Sequence, residues 1–191
     1  MTNDFGFLDQ PAWLAAKRLL GCELVREINS QEIRGRIVET EAYDQADAAS
    51  HSYRGRTART EVMFGASGQA YVFFTYGMHY CLNVVTGPAG YGSAVLIRAI
   101  EPITGLDLIV ARRPRIKTSY GLTNGPAKLC QALSLNREFN GHDLCRPPLR
   151  LVIRQPIATK DIVRTERIGI TRDIHRPWRF YIKQNPFVSR P

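Results

Sequence analysis

Glu39 and Glu41 stand two residues apart near the end of the stretch Glu32–Tyr43, EIRGRIVETEAY, and Tyr43 follows two residues later. Carboxylates placed this way can activate water or stabilise a developing cation, provided that a nearby positive charge keeps them ionised when buried. Arg98, inside the apolar run AVLIRAI (94–100), needs such a partner, because a buried guanidinium is costly to leave unpaired. Glu39, Glu41 and Glu101 are its candidates. The alternative for the glutamates is a strand end that turns both into solvent, where most glutamates sit.

Other residue types offer less chemistry. Cys22, Cys81, Cys130 and Cys145 are far apart, with no C-x-x-C pair and no zinc-type histidine spacing, so reduced core cysteines are expected. His51, His79, His142 and His175 are equally scattered. The glycines Gly87, Gly90 and Gly92 open a strand, not a helix, so the phosphate-cradle context is missing. No metal and no cofactor is expected.

Extended-chain alternation puts Ile33, Gly35, Ile37, Glu39, Glu41 and Tyr43 on one face, which leaves two carboxylates on an apolar surface. The strand is read as the return arm of a hairpin whose first arm spans Cys22–Ile28, with Asn29, Ser30 and Gln31 turning the chain. Before it, Asp9 as cap, Pro11 in the first turn, and Trp13, Ala16, Leu19 and Leu20 at helical spacing predict a short amphipathic helix that Gly21 stops. Residues 44–62 form a long polar connection carrying His51, Thr57 and the cluster Arg54, Arg56 and Arg59, either solvated or in contact with phosphates. Gln69–Val85 predicts a second hairpin turning at Gly77. Its tip presents Tyr76, Met78 and His79, which either fold into the core or form a wedge or stacking platform for bases. Helices are expected at Gly105–Arg113 and, capped, over Asn124–Leu133 with Pro126 in the first turn, and further strands or irregular segments near 149–154, 164–171 and 178–183.

The chain has 191 residues, 44% hydrophobic and 23% charged, which suits one domain over residues 1–191 with a real core. Its 26 Lys and Arg against 17 Asp and Glu give a net charge of +9, the mark of a polyanionic partner. No apolar stretch reaches membrane-spanning length, and the N-terminus lacks a signal-peptide pattern. An intracellular protein without a membrane role is expected, with nucleic acid as the polyanion.

Taken together, GRIVETEAY (35–43), His51-Ser52, Thr57-Ala58-Arg59, Met63-Phe64, YVFFTYGMHYCLNVV (71–85), LIRAIEP (96–102), NGPAKLCQAL (124–133) and RPWRFYIKQNPFVS (176–189) resemble the alkyladenine or 3-methyladenine DNA glycosylase family over nearly the whole chain. The resemblance implies an enzyme, acting as a monomer without cofactor, that flips alkylated or deaminated purines out of duplex DNA and hydrolyses the N-glycosidic bond to leave an abasic site. It makes Glu41 the catalytic carboxylate, which periodicity alone does not separate from Glu39, with Arg98 helping to hold the attacking water. Tyr43, His51 and Phe73 would enclose the flipped base, Asn83 would screen its substituents, and Tyr76 would fill the gap in the helix. Met78, His79, Thr57 and Arg59 would contact the DNA. Two positions depart from the family's pattern: Phe73 stands where tyrosine is usual, and His79 where another aromatic is common. The fold expected is α+β: a curved, mainly antiparallel sheet, surrounding helices and a protruding β-hairpin. A non-catalytic basic nucleic-acid-binding module is the alternative, and it leaves Glu41 and Arg98 without a task.

Overall fold

The computed structural model of the chain describes residues 5–75 and 77–190. Helix α1 (Ala12–Leu19) leads into strands β1 (Glu23–Ile28) and β2 (Gln31–Tyr43), then the hairpin β3 (Ala70–Thr75) and β4 (His79–Val85), and the long strand β5 (Ala94–Thr104). Helices α2 (Leu106–Arg112) and α3 (Pro126–Ala132) precede the short strands β6 (Leu149–Val152), β7 (Ile162–Thr165) and β8 (Arg179–Ile182). These strands form one eight-stranded α+β sheet in which every pairing is antiparallel.

Strand β2 is the axis of the sheet. Along one edge it pairs with β5 from Arg34 to Tyr43. Its other edge is divided: residues 31–36 pair with β1, and Glu39, Thr40 and Glu41 pair with β8. The division lets two separate parts of the chain converge on the segment that carries the glutamates.

The alternation expected along β2 does not run through. Ile37 pairs with Ile100 and Glu39 with Ala99, which leaves Val38 as an extra residue on β2; Thr40 then pairs with Ile97, which leaves Arg98 extra on β5. Each bulge shifts the phase of its strand by one residue, and a one-residue shift moves every later side chain to the opposite face. Ile33 and Ile37 therefore join the main core before the bulge, and Ala42 joins it afterwards, while the Thr40 hydroxyl bonds the Ala16 carbonyl of α1 at 2.9 Å. Glu39 and Glu41 point the other way. The carboxylates are not on the apolar face, as uninterrupted alternation implied, but on the reverse of it.

The main core lies between the sheet and its helices, with Ala12, Ala15, Ala16 and Leu19 of α1 and Leu129, Cys130 and Ala132 of α3 fully or almost fully buried. A smaller cluster of Met63, Phe64, Tyr71, Val85 and Ala94 sits apart from it. Two local expectations are corrected and one left open is resolved. Pro11, not Asp9, precedes α1, and the Asp9 carboxylate instead accepts the Ser67 hydroxyl. The segment read as strand or irregular structure over 164–171 is strand to Thr165 and a loop beyond it. Cys145 is exposed, unlike the buried Cys22, Cys81 and Cys130.

Candidate active site

A row of side chains crosses five strands on the sheet face that carries the glutamates. Tyr71 of β3 pairs with Asn83 of β4, Asn83 with Leu96 of β5, Leu96 with Glu41 of β2, and Glu41 with Arg179 of β8. Directly paired residues on antiparallel strands share a face, so the register alone gathers these groups. Above the row lies a cavity of about 380 Å³, within the range of small-ligand pockets. Its floor includes Glu41, Leu96, Arg98, Cys81 and Asn83, and its walls include Tyr43, His51, Tyr71, Phe73 and the loop from Ile168 to Arg172.

Both glutamates are fully buried, and they are used differently. Glu39 Oε1 accepts Arg98 Nε at 2.9 Å, Arg179 Nε at 2.8 Å and the Ser189 hydroxyl at 2.8 Å, while Oε2 accepts the Ser189 backbone N–H at 2.7 Å. A carboxylate offers about four acceptor positions, so Glu39 is filled. Burial alone would push its carboxyl upward, but Arg98, the Ser189 N–H and Arg179 outweigh this and hold it below the usual glutamate value. Glu39 does not line the cavity; Glu41 does.

Glu41 Oε2 accepts Arg98 Nη1 at 3.2 Å and the Tyr43 hydroxyl at 2.9 Å, and Oε1 accepts the Ile168 N–H at 2.7 Å. Three bonds leave one acceptor position for a molecule in the cavity. Burial first, then the charge of Glu41, raises Tyr43 well above the ordinary phenol value, so its proton stays on and is donated to the carboxylate. Arg98 bridges the two glutamates, and Glu101 is not its partner: that carboxylate reaches Arg36 at 3.7 Å and accepts from Asn185 at 3.0 Å.

The aromatic wall is tightly connected. The rings of His51 and Phe73 meet edge to face at 4.6 Å between centroids, and Tyr71 lies 5.5 Å from Phe73. His51 Nδ1 is 3.0 Å from the Tyr71 hydroxyl, and its Nε2 is 3.4 Å from the Arg59 guanidinium. Protein packed around the ring, and then Arg59, push His51 down to about 4. The ring keeps an open edge to solvent, which moderates the first cause without reversing the direction. Asn83 is buried and donates to the Tyr71 carbonyl at 3.0 Å, which fixes its amide against the cavity.

At the hairpin tip Gly77 adopts φ +69°, with nothing near the position of a Cβ, so the left-handed turn suits glycine there. Met78 is 71% exposed and Phe74 49% exposed, and His79 is exposed as well. The tip thus projects these residues rather than folding them inward. Tyr76, the residue expected to fill a vacancy in the helix, lies outside the described residues. Thr57 and Arg59 are exposed on the connection that leads to the cavity, with the Arg59 guanidinium 5.5 Å from the Phe73 ring.

A family model described as methylpurine-DNA glycosylase matches residues 6–186. The chain belongs to that family. Among its curated relatives, one from Carboxydothermus hydrogenoformans is 51% identical over 185 residues, with 96% of each chain covered. One from Francisella tularensis is 49% identical with 92% of each covered, and one from Methanoculleus marisnigri is 47% identical over the full length of both. All three carry the name "Putative 3-methyladenine DNA glycosylase".

Several residues of this glycosylase-family site escape a reading by sequence spacing. Ile168 contributes only its backbone N–H, so its side-chain type carries no signal. Ser189 and Arg179 complete the shell of Glu39 from the C-terminal part of the chain, 150 and 140 residues away. Arg167 and Asp47 form a wholly buried ion pair behind Tyr43. The pairing of Glu41 with Arg179 across β2 and β8 is the link from which the C-terminal contribution could have been anticipated.

Proposed function

We propose that the chain is a monofunctional DNA glycosylase that turns alkylated or deaminated purines out of duplex DNA and hydrolyses the N-glycosidic bond. The observation that carries this reading is the pair of unlike glutamates: Glu39 saturated outside the cavity, Glu41 inside it with one acceptor position open. A base stacked in a duplex cannot enter a cavity about 380 Å³ in volume, so the nucleotide must leave the helix, which is easiest at damaged or mismatched pairs. Met78 and its neighbours on the projecting tip, with Tyr76 as the wedge, would hold the vacancy, and Thr57 and Arg59 would meet the phosphates.

In the cavity Tyr43, His51 and Phe73 would enclose the base, and the fixed Asn83 amide would obstruct a purine with a substituent at that position. Cleavage breaks the bond between C1′ and the base nitrogen and leaves the electron pair on the base while positive charge builds on the sugar. Glu41 would accept a proton from water at its open position as the oxygen adds to C1′, and its charge would stabilise the developing cation. Arg98, already bonded to Oε2 of Glu41, would orient the water. A purine alkylated at N3 or N7 is cationic and leaves neutral; hypoxanthine gains more from protonation. Among the described residues the cavity lining holds no lysine, and the strand would be left intact at an abasic site.

The whole chain, residues 1–191, would act as one domain and as a monomer inside the cell. Among the described residues no helix is long and apolar enough to cross a membrane. Duplex oligonucleotides containing 3-methyladenine, 7-methylguanine or hypoxanthine test the reading, compared with single strands, nucleosides and undamaged duplex. Base release that becomes strand breakage only after alkali supports it. Tight DNA binding without base release from any of these substrates would favour the non-catalytic module.

A further inference from the structure

Arg167 stands behind the cavity and belongs to no part of the reaction described above. Both its side chain and that of Asp47 are wholly buried. Its Nη1 bonds the Asp47 carboxylate and donates to the Ala42 carbonyl at 2.9 Å; its Nη2 donates to the other Asp47 oxygen at 2.9 Å and to the Asp173 carbonyl at 3.4 Å. The guanidinium lies 4.6 Å from the Tyr43 ring centre and 5.5 Å from that of Trp178. A second link runs parallel, from the Ala48 N–H to the Asp173 carboxylate at 2.8 Å. Three segments meet at this one side chain: the end of β2, the 44–51 connection, and the 166–173 loop.

These segments are the ones that surround Glu41. Ala42 sits between Glu41 and Tyr43 in the chain, and Ile168, the next residue after Arg167, gives its N–H to Glu41 Oε1. Burial of an ion pair is weak support for a purely stabilising role, since apolar groups of similar volume do as well or better. Arg167 also keeps its Nε buried without a partner, a cost that a stabilising device would avoid. What the planar, forked guanidinium supplies and an apolar group does not is fixed direction.

We propose that Arg167, anchored by Asp47, is a positioning residue for the reaction: it holds the Ile168 N–H and the Tyr43 hydroxyl on the Glu41 carboxylate. The inference rests on the reading of Glu41 as the group that activates water. Its effect appears in the chemical step and not in DNA binding, because Arg167 does not line the cavity. Glu41 is also faced by Glu39 and Tyr43 of its own strand, by Arg98 of β5, and by Cys81 and His51 across the cavity. Of these, Tyr43 also meets the Arg167 guanidinium, at 4.6 Å from its ring centre, so a variant that keeps the charge but not the fork separates loosened donors from a lost charge.

The test compares Arg167→Lys with the double variant D47N/R167Q, which removes both charges and leaves no buried ion alone. Single-turnover release of hypoxanthine and affinity for the same duplex are measured from pH 5 to 9, with thermal melting as the control for folding. Glu41→Gln is run alongside. The expected result for both is a rate lower by about tenfold to a hundredfold, with affinity within about threefold. A folded variant with an unchanged rate, or with rate and affinity lowered together, overturns the proposal, as does failure of both variants to fold, which assigns the pair to the fold alone. Release of base by Glu41→Gln would instead overturn the reading of the site on which the inference rests.

Discussion

Tyr43 donates its hydroxyl to Oε2 of Glu41 across 2.9 Å, the same oxygen that Arg98 reaches at 3.2 Å. One oxygen of the carboxylate is therefore committed to two donors, and the open acceptor position lies on the other, beside the Ile168 N–H. The geometry turns a buried charge into a directed one.

Removing the Tyr43 hydroxyl isolates this contact. A hydrogen bond to a charged group contributes about 1.5–3 kcal/mol, which corresponds to roughly ten- to a hundredfold in rate where the bond is stronger in the transition state. Tyr43→Phe is expected to slow single-turnover base release within that range while the ring preserves affinity for lesion DNA. Equal losses in rate and affinity would show that the tyrosine acts as a wall and not as a donor.

Glu39 is expected to dominate acid stability in this part of the sheet. Its carboxyl is held below the usual glutamate value of 4.5. The stability it contributes is thus fully present above that value and lost as pH falls through the lower, folded-state value. Glu39→Gln breaks a buried pair and leaves Arg179 without its carboxylate and Arg98 with Glu41 alone, so a loss of about 3 kcal/mol is expected at pH 7. Urea unfolding at pH 7 and at pH 3 should show the gap between wild type and variant narrowing on acidification. A gap that stays constant would contradict this assignment.

His51, pushed down to about 4 by the packing around it and by Arg59, is expected to remain neutral through the physiological range and to accept the Arg59 N–H at Nε2. Its ring resonances, followed by nuclear magnetic resonance, should stay flat between pH 6 and 8 and move only in more acidic solution. A midpoint near 6.5 would mean that the ring is solvated and uncoupled from Arg59.

How far the sequence discloses this arrangement differs from residue to residue. The two hairpins, α2 and α3 follow from apolar spacing and from turn residues, Asn29 and Ser30 in the first hairpin and Gly77 in the second, because local geometry decides them. The demand of Arg98 for a carboxylate is also legible, since the cost of burying a guanidinium does not depend on the fold. The orientation of Glu39 and Glu41 is not, because it depends on opposed bulges at Val38 and Arg98, and a bulge leaves no mark in the alternation of residue types. Nor does spacing reveal that Ser189 and Arg179 saturate Glu39, a consequence of β8 pairing with the half of β2 that β1 leaves uncovered. The segment after Thr165 stays open in the sequence between strand and irregular structure. Its actual role comes from the Arg167 anchor and from a backbone N–H that any residue except proline could supply.

The most direct measurement is single-turnover release of hypoxanthine and of 3-methyladenine from duplex DNA by Glu41→Gln, together with its affinity for the same duplexes. The substitution keeps the shape of the side chain but removes its negative charge and its ability to take a proton from water. The account predicts base release reduced by at least about a thousandfold, the scale that a lost general base and lost charge stabilisation supply, with lesion-DNA affinity within severalfold of wild type. Base release close to the wild-type rate would contradict the account and remove Glu41 from the chemistry.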